Sequence, residues 1–163
     1  MRKLALVIAA LCALPSPMLA QTALEPDADG NYLPDPSQDV PLSEDELIAA
    51  FTDKTHRGTY NFKRPNIETF AFEETTSADG RTVHVHGEKT DRGTWRVREN
   101  VICFDYVDWD AAGGRHLACF NIFKRGNCYY HYGLALGRPG LGGSFTARSV
   151  HAGETPDCEP AYV

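Results

Sequence analysis

From Thr55 onward, apolar and polar residues alternate with a period of two, and short clusters of turn-forming residues interrupt the alternation. A period of two places every second side chain on one face of a β-strand. The alternation predicts eight strands, near residues 56–62, 66–74, 81–89, 94–99, 101–107, 115–124, 128–136 and 144–150. Short connections join successive strands as antiparallel hairpins. We therefore expect a mainly β chain, an eight-stranded meander that most simply closes into a small barrel.

One stretch of this meander has a predictable register. In a hairpin, the numbers of opposed residues have a constant sum. A turn at Glu99-Asn100 places Trp95 opposite Phe104 and Val97 opposite Ile102. All four side chains are apolar, so we expect them on the inner face.

The next hairpin supports the same register through its cysteines. If Phe104 lies opposite Ala118, then Cys103 lies directly opposite Cys119. We therefore predict a disulfide between Cys103 and Cys119 on the outer face. The two cysteines that remain after residue 20 predict a second disulfide, Cys128–Cys158.

The N-terminal segment has the pattern of a secretory signal peptide. Residues 1–20 begin with Arg2 and Lys3, continue with an uncharged apolar run, and end with Ala20. The run is shorter than the roughly 20 residues needed to cross a bilayer. We therefore expect an exported protein, periplasmic or secreted, that does not span the membrane. Residues 21–42 read as a flexible, acidic, Pro-rich linker, and residues 43–163 as the disulfide-bonded β domain.

A short helix is predicted between the linker and the first strand. Ser43 and Glu46 form a capping box, and Leu42 can pack on Leu47 as a hydrophobic staple. The helix should run from Glu44 to Phe51 and should place Leu47, Ile48 and Phe51 against the barrel.

Composition and motifs limit the possible functions. The net charge of −6 argues against nucleic-acid binding, which requires a basic surface. No motif is specific enough to name a reaction. The sequence therefore favours a non-catalytic binding protein without a cofactor, whose partner is a small apolar ligand or an envelope protein. An inhibitor of another enzyme is one form of this hypothesis.

The inner face carries polar aromatic residues that suggest an interior site. The register places Tyr106 opposite His116, and His131 falls roughly opposite Phe120, too far from His116 for the two histidines to share an ion. The predicted ligand-binding residues are Trp95, Tyr106, His116, Tyr129 and His131. An enzyme that uses the interior tyrosines and histidines is an alternative.

Two histidines on one strand suggest a further alternative, a metal-binding periplasmic protein. His84 and His86 point to the same side of a strand and could share a zinc ion if a third ligand were close. An odd index sum in the preceding hairpin puts Val83 and Val85 on the inner face. The two histidines are then expected to face outward.

Arg92, Arg96 and Arg98 alternate along one strand and should form an outward basic stripe. Such a stripe could contact an anionic partner, although a solvated strand face is its more ordinary use.

Four short segments resemble a known group of proteins. They are Leu42-Ser43-x-x-Glu46-Leu47, Thr52-Asp53-Lys54-Thr55-x-x-Gly58, Gly93-x-Trp95-x-Val97, and Ile102-Cys103 with a later Cys119. The chain resembles, over roughly residues 42–120, small exported proteobacterial proteins of unknown function. That resemblance implies a compact lipocalin-like β-barrel and carries no known activity.

Overall fold

The computed structural model describes residues 39–61, 71–109, 114–135, 138–139 and 145–158. The predicted signal peptide, residues 1–20, and residues 21–38 of the predicted linker lie outside these ranges. Within the described ranges, no helix combines the length and apolar character needed to cross a membrane.

The described residues form one helix and nine strands. In chain order they are α1 (Glu44–Phe51), β1 (Lys54–Tyr60), β2 (Ala71–Thr76), β3 (Arg81–His86), β4 (Lys89–Arg98), β5 (Val101–Trp109), β6 (Gly114–Arg125), β7 (Cys128–Ala135), β8 (Arg138–Pro139) and β9 (Ala147–His151).

The strands close into an antiparallel barrel, as the alternation predicts. Strands β1 to β7 pair in chain order, and β9 pairs with both β7 and β1. The barrel therefore has eight strands. The two residues of β8 pair only with the end of β7 and are not part of the barrel.

Helix α1 begins and ends where the sequence predicts, and it closes one end of the barrel. The Ser43 side chain accepts a hydrogen bond from the Glu46 amide, and the Glu46 carboxylate accepts one from the Ser43 amide. Leu47, Ala50 and Phe51 are buried. The expectation for Ile48 was wrong, because its side chain is 43% exposed and Ala50 faces the barrel instead.

The predicted register of β4, β5 and β6 is confirmed. Trp95 pairs with Phe104, and Phe104 pairs with Ala118. The side chains of Trp95 and Phe104 belong to the main core, which lies between α1 and the inner faces of β4 to β7. Its buried members are Leu47, Ala50, Phe51, Trp95, Ile102, Phe104, Tyr106, Ile122 and Tyr129.

Both predicted disulfides are present. Cys103 and Cys119 are directly paired across β5 and β6, with their Cα atoms 4.0 Å apart. Cys128 is joined to Cys158, with a Cα–Cα distance of 5.5 Å. The second bridge ties the C-terminal segment to a smaller buried cluster on β7 and β9 that includes Tyr130, Phe145 and Val150. Phe145 lies two residues before the first residue of β9, Ala147.

The predicted strands 81–89 and 94–99 imply a turn between them, at Asp91-Arg92-Gly93, and this expectation was wrong. The chain turns instead at Gly87-Glu88, and the predicted turn residues lie inside β4. A Cβ atom on Gly93 would collide with the backbone of Asp105 on β5, so the glycine permits close strand contact there rather than a turn.

Ser77 and Arg81 close the hairpin between β2 and β3, so its loop has three residues, 78–80, where the odd index sum expected from the sequence requires an even number. The Ser77 amide donates to the Arg81 carbonyl, and Gly80, the last loop residue, has a φ of +82°. This is the three-residue hairpin loop that ends on a left-handed glycine. Thr76 therefore pairs with Thr82, and the index sum is even instead of odd. One extra loop residue turns every side chain of β3 to the opposite face.

Candidate functional site

The extra loop residue gives the barrel a polar inner wall. His84 and His86 are each only 3% exposed, so the expectation that they face outward was wrong. Val83 and Val85 take the outer face. Glu74 on β2 is buried beside the two histidines. The main core on β4 to β7 is mostly apolar, whereas the inner faces of β2 and β3 carry ionisable groups.

A hydrogen-bonded chain runs through Tyr60, His84 and Glu74. The Tyr60 hydroxyl lies 2.5 Å from Nε2 of His84, and Nδ1 of the same ring lies 2.5 Å from Oε2 of Glu74. Tyr106 donates to the same carboxylate oxygen at 2.6 Å, and Thr82 donates to Oε1. Glu74 accepts hydrogen bonds from Tyr106 and Thr82, and we assign it the same role toward His84. Nδ1 of His84 is then the donor to Glu74, and Nε2 accepts from Tyr60.

A second buried pair lies beside this chain. Nε2 of His86 is 2.8 Å from Oδ2 of Asp91, and both side chains are almost fully buried. The imidazole rings of His84 and His86 have centroids 5.3 Å apart. Four ionisable side chains therefore occupy the inner faces of three adjacent strands, β2 to β4.

A second hydrogen-bonded chain crosses from β7 to α1. The Ala50 carbonyl at the end of α1 can only accept, so Nε2 of His56 donates to it at 3.1 Å. Nδ1 of the neutral His56 ring must then accept from the Ser149 hydroxyl, 3.1 Å away. The Ser149 hydroxyl proton is already donated to His56, so Nε2 of His131 donates to the Ser149 oxygen at 2.8 Å. One fixed carbonyl thus defines the protonated nitrogen on both rings.

Burial keeps these two histidines neutral. The pKa of His56 is lowered to about 4, chiefly because burial disfavours the charged ring. Burial also lowers the pKa of His131 to about 3, and the nearby rings of His56 and His84 add to the effect. Neither ring carries a positive charge near neutral pH.

The two chains meet around a small pocket. Its volume is about 30 Å³, and the polar side chains that line it are His56, Tyr60, Glu74, His84, Tyr106 and His131. Aromatic rings, among them Phe72 and Phe120, form the rest of the wall. The volume is enough for one or two water molecules.

The structure brings together only some of the residues predicted to bind a ligand. Tyr106 and His131 line the pocket. Trp95 and Tyr129 belong to the main core, and the Trp95 indole donates to the Ser77 carbonyl at 2.9 Å. His116 is half-buried opposite Tyr106 and does not line the pocket. His131 pairs with Ile122 rather than with Phe120, which puts it still farther from His116.

Most of the polar site was not predicted from the sequence. Tyr60, Glu74, Thr82, Asp91, His56 and Ser149 were not singled out. One signal was available, because an even index sum pairs Thr76 with Thr82 and Glu74 with His84. Polar residues then face polar residues across the whole hairpin.

The candidate metal ligands do not form a metal-binding cluster here. Both ring nitrogens of His84 contact protein groups, and Nε2 of His86 contacts Asp91. In the part of the chain that the structure describes, no group of three or more His, Cys, Asp or Glu side chains could hold an ion.

The predicted basic stripe is confirmed on the outer face. Arg92, Arg96 and Arg98 are all exposed on β4. The structure gives none of the three a carboxylate partner among the described residues. Other exposed arginines are ion-paired, as in Arg57–Glu73 and Arg81–Asp79.

No protein-family model, curated protein or solved structure matches this chain.

Proposed function

We propose that the chain is an exported, non-catalytic binding protein that takes a small hydrogen-bonding ligand inside its barrel. The observation that carries this proposal is the buried polar wall beside a pocket. Burying a carboxylate and three histidines costs several kcal/mol unless hydrogen bonds offset the cost. A barrel needing only a stable core would place apolar side chains there. Buried ionisable groups around a pocket are typical of functional sites.

The chemistry of the pocket favours a ligand that donates hydrogen bonds. Glu74 supplies a carboxylate, and the neutral rings of His56 and His131 supply no positive charge. Because Nε2 of His131 donates to Ser149, its Nδ1 atom is an acceptor. An amine or alcohol of one or two heavy atoms, such as methylamine or methanol, fits this pattern and volume better than an anion does.

The volume of the pocket does not support carriage of a fatty acid. Pockets that hold larger ligands have volumes of roughly 300–1,000 Å³. The interior pocket has about 30 Å³. The small apolar ligand expected from the sequence is therefore replaced in this proposal by a small polar one.

A variant that fills the pocket tests the proposal. Ala118 lines the pocket, and Ala118→Leu should occupy the space without removing a hydrogen-bonding group. Ligand-observed NMR with a set of small amines, alcohols and amides should give hits with the unmodified protein that disappear in this variant. Ala152→Leu changes an exposed alanine and is the matched control. Hits that survive Ala118→Leu, or an absence of hits, would contradict the proposal.

The chain from Tyr60 through His84 to Glu74 favours acid–base catalysis as a second candidate function. A histidine held between a carboxylate and a hydroxyl can accept the hydroxyl proton while the carboxylate stabilises the resulting imidazolium. The test is incorporation of solvent deuterium at the α-carbon of a small ketone such as acetone. Catalysed exchange that is lost in Tyr60→Phe would favour the enzyme. Exchange at the uncatalysed rate would leave the binding function.

Export is supported by the signal-like pattern of residues 1–20 and by the two disulfides, which form in oxidising compartments. Mass analysis of the protein from the cell envelope should give a chain that begins after Ala20. A full-length chain in the cytoplasm would contradict it. Membership of the exported proteobacterial group, and a lipocalin-like relationship, stay predictions.

A further inference from the structure

The outer face of the barrel holds a second candidate site. A groove of about 950 Å³ lies across β4 to β7. Two arginines and one acid, Glu99, lie in its lining with apolar residues and the Cys103–Cys119 disulfide; the lining residues are Arg96, Val97, Arg98, Glu99, Val101, Cys103, Leu117, Cys119 and Leu134. The groove is on the opposite side of the barrel wall from the interior pocket.

Arg96 and Arg98 form a basic edge of the groove. Arg115 binds both carboxylate oxygens of Asp105, which neutralises that pair. The pKa of Asp105 is lowered first by the hydrogen bond from Arg115, and Arg96 contributes less. Arg96 and Arg98 therefore keep most of their hydrogen-bonding capacity on a chain whose net charge is −6.

The opposite edge of the groove is apolar. Leu117 is 53% exposed, and the neighbouring outward residue Val107 is 57% exposed. Large aliphatic side chains that are this exposed in a cluster indicate an interaction surface.

The strand register fixes the order of these features. Arg96 pairs with Cys103, and Cys103 pairs with Cys119, so the row runs from basic to apolar across the sheet. Adjacent strands lie about 4.8 Å apart, so two strand spacings separate Arg96 from Cys119 by about 10 Å, and Leu117, two residues along β6, lies roughly 12 Å from Arg96 and farther from Arg98. A partner must present acidic and apolar groups at that spacing. A concave groove accommodates a chain segment better than a flat membrane surface.

We propose that this groove binds an extended acidic segment of another protein, with carboxylates on Arg96 and Arg98 and apolar side chains on Leu117 and Leu134. Charge complementarity selects the segment, and the aliphatic edge and the disulfide bury its apolar residues. The proposal concerns the outer face and goes beyond the ligand site inside the barrel.

Peptide binding measured by fluorescence anisotropy tests the proposal. The probe is a short labelled peptide in which Asp alternates with Leu. It should bind the full chain, and the double variant Arg96→Gln/Arg98→Gln should weaken binding by about tenfold or more, since charge-assisted hydrogen bonds are lost. Leu117→Ser should also weaken binding. The matched control, Arg57→Gln, removes an exposed arginine from β1 and should leave the affinity unchanged.

Other occupants give distinct results. Equal affinity of the double variant and the unmodified protein, or equal binding of a peptide in which Lys alternates with Leu, overturns the proposal. So does binding to vesicles containing phosphatidylglycerol in the absence of peptide binding, which would assign the face to a membrane. If deletion of the acidic residues 21–38 raises the peptide affinity about tenfold, the groove belongs to the chain's own segment, and the proposal of a separate partner is wrong. Full folding of each variant is checked by circular dichroism.

Discussion

Nδ1 of His84 lies 2.5 Å from Oε2 of Glu74, and the register of β2 and β3 pairs these two residues directly. The two side chains therefore meet directly across one hairpin. The three-residue loop that creates this pairing also creates the polar wall.

Removing the Glu74 carboxylate should destabilise the barrel strongly. Glu74→Gln leaves His84, Tyr106 and Thr82 with one amide oxygen in place of two carboxylate oxygens, and each buried donor left without an acceptor costs about 1–3 kcal/mol. We expect a loss of this size in the free energy of unfolding, measured with urea. Glu73→Gln is the control, because Glu73 pairs with Arg57 at a largely exposed site. Equal stability of the two variants would show that the buried network contributes little.

Stability should fall in mild acid because of His56 and His131. Their pKa values are lowered to about 4 and about 3 in the folded chain, while an unfolded histidine titrates near 6.5. The unfolded chain therefore binds more protons, so their contribution is complete above about pH 6.5 and is lost as the pH falls toward 4. Each histidine should contribute a slope of about 1.4 kcal/mol per pH unit in that window. His131→Gln should remove one such slope.

The proton positions of these rings can be observed directly. Nitrogen NMR at pH 5.5 should show neutral rings protonated at Nε2 for both His56 and His131, because both nitrogens donate in the hydrogen-bonded chain. A ring that is protonated on both nitrogens at this pH is incompatible with the assigned direction of the chain.

Trp95 should behave as a core residue and not as a ligand sensor. Its side chain is 8% exposed, and its indole donates to Ser77. Trp95→Ala should cost about 3–5 kcal/mol. In a Trp109→Phe background, where Trp95 is the remaining fluorophore, added fatty acid should not quench the emission. Saturable quenching would restore the apolar-ligand hypothesis. The side chain of Trp109 itself lies outside the described residues.

Loss of the two disulfides should have different effects on the protease sensitivity of the C-terminal segment. The bridged residues are separated by 16 and 30 positions, which corresponds to about 3 and about 3.5 kcal/mol on the loop-entropy account. Cys103 and Cys119 remain held by strand pairing after reduction. The segment around Cys158 is held otherwise by contacts such as the Asn127 side chain with the Thr155 carbonyl. Cys128→Ala/Cys158→Ala should therefore expose the C-terminal segment to protease, and Cys103→Ala/Cys119→Ala should not.

The sequence was sufficient to predict helix α1 and the register of β4, β5 and β6, because local patterns specify both. The apolar pairs and the cysteine pair of β4, β5 and β6 favour one register, and the capping box defines α1. Local chemistry determines these features, so one chain contains enough information to predict them.

The polar site could not be predicted in the same way. Whether His84 faces the interior depends on whether the loop that ends at Gly80 has an odd or an even number of residues. The turn-forming sequence fits both. The second hydrogen-bonded chain joins His56 to Ser149, which are 93 positions apart. Only closure of the barrel brings such residues together.

The closing strand also determines when the chain can finish folding. Arg57 on β1 pairs with Val150 on β9, so the first strand cannot complete its pairing until residues 147–151 have been synthesised. Until then, β1 and β7 each present a row of unpaired backbone groups, which can recruit a strand from another molecule. A chain that stops before Ala147 would keep both edges exposed and would be expected to aggregate, even though seven strands and the Cys103–Cys119 bridge could already be in place.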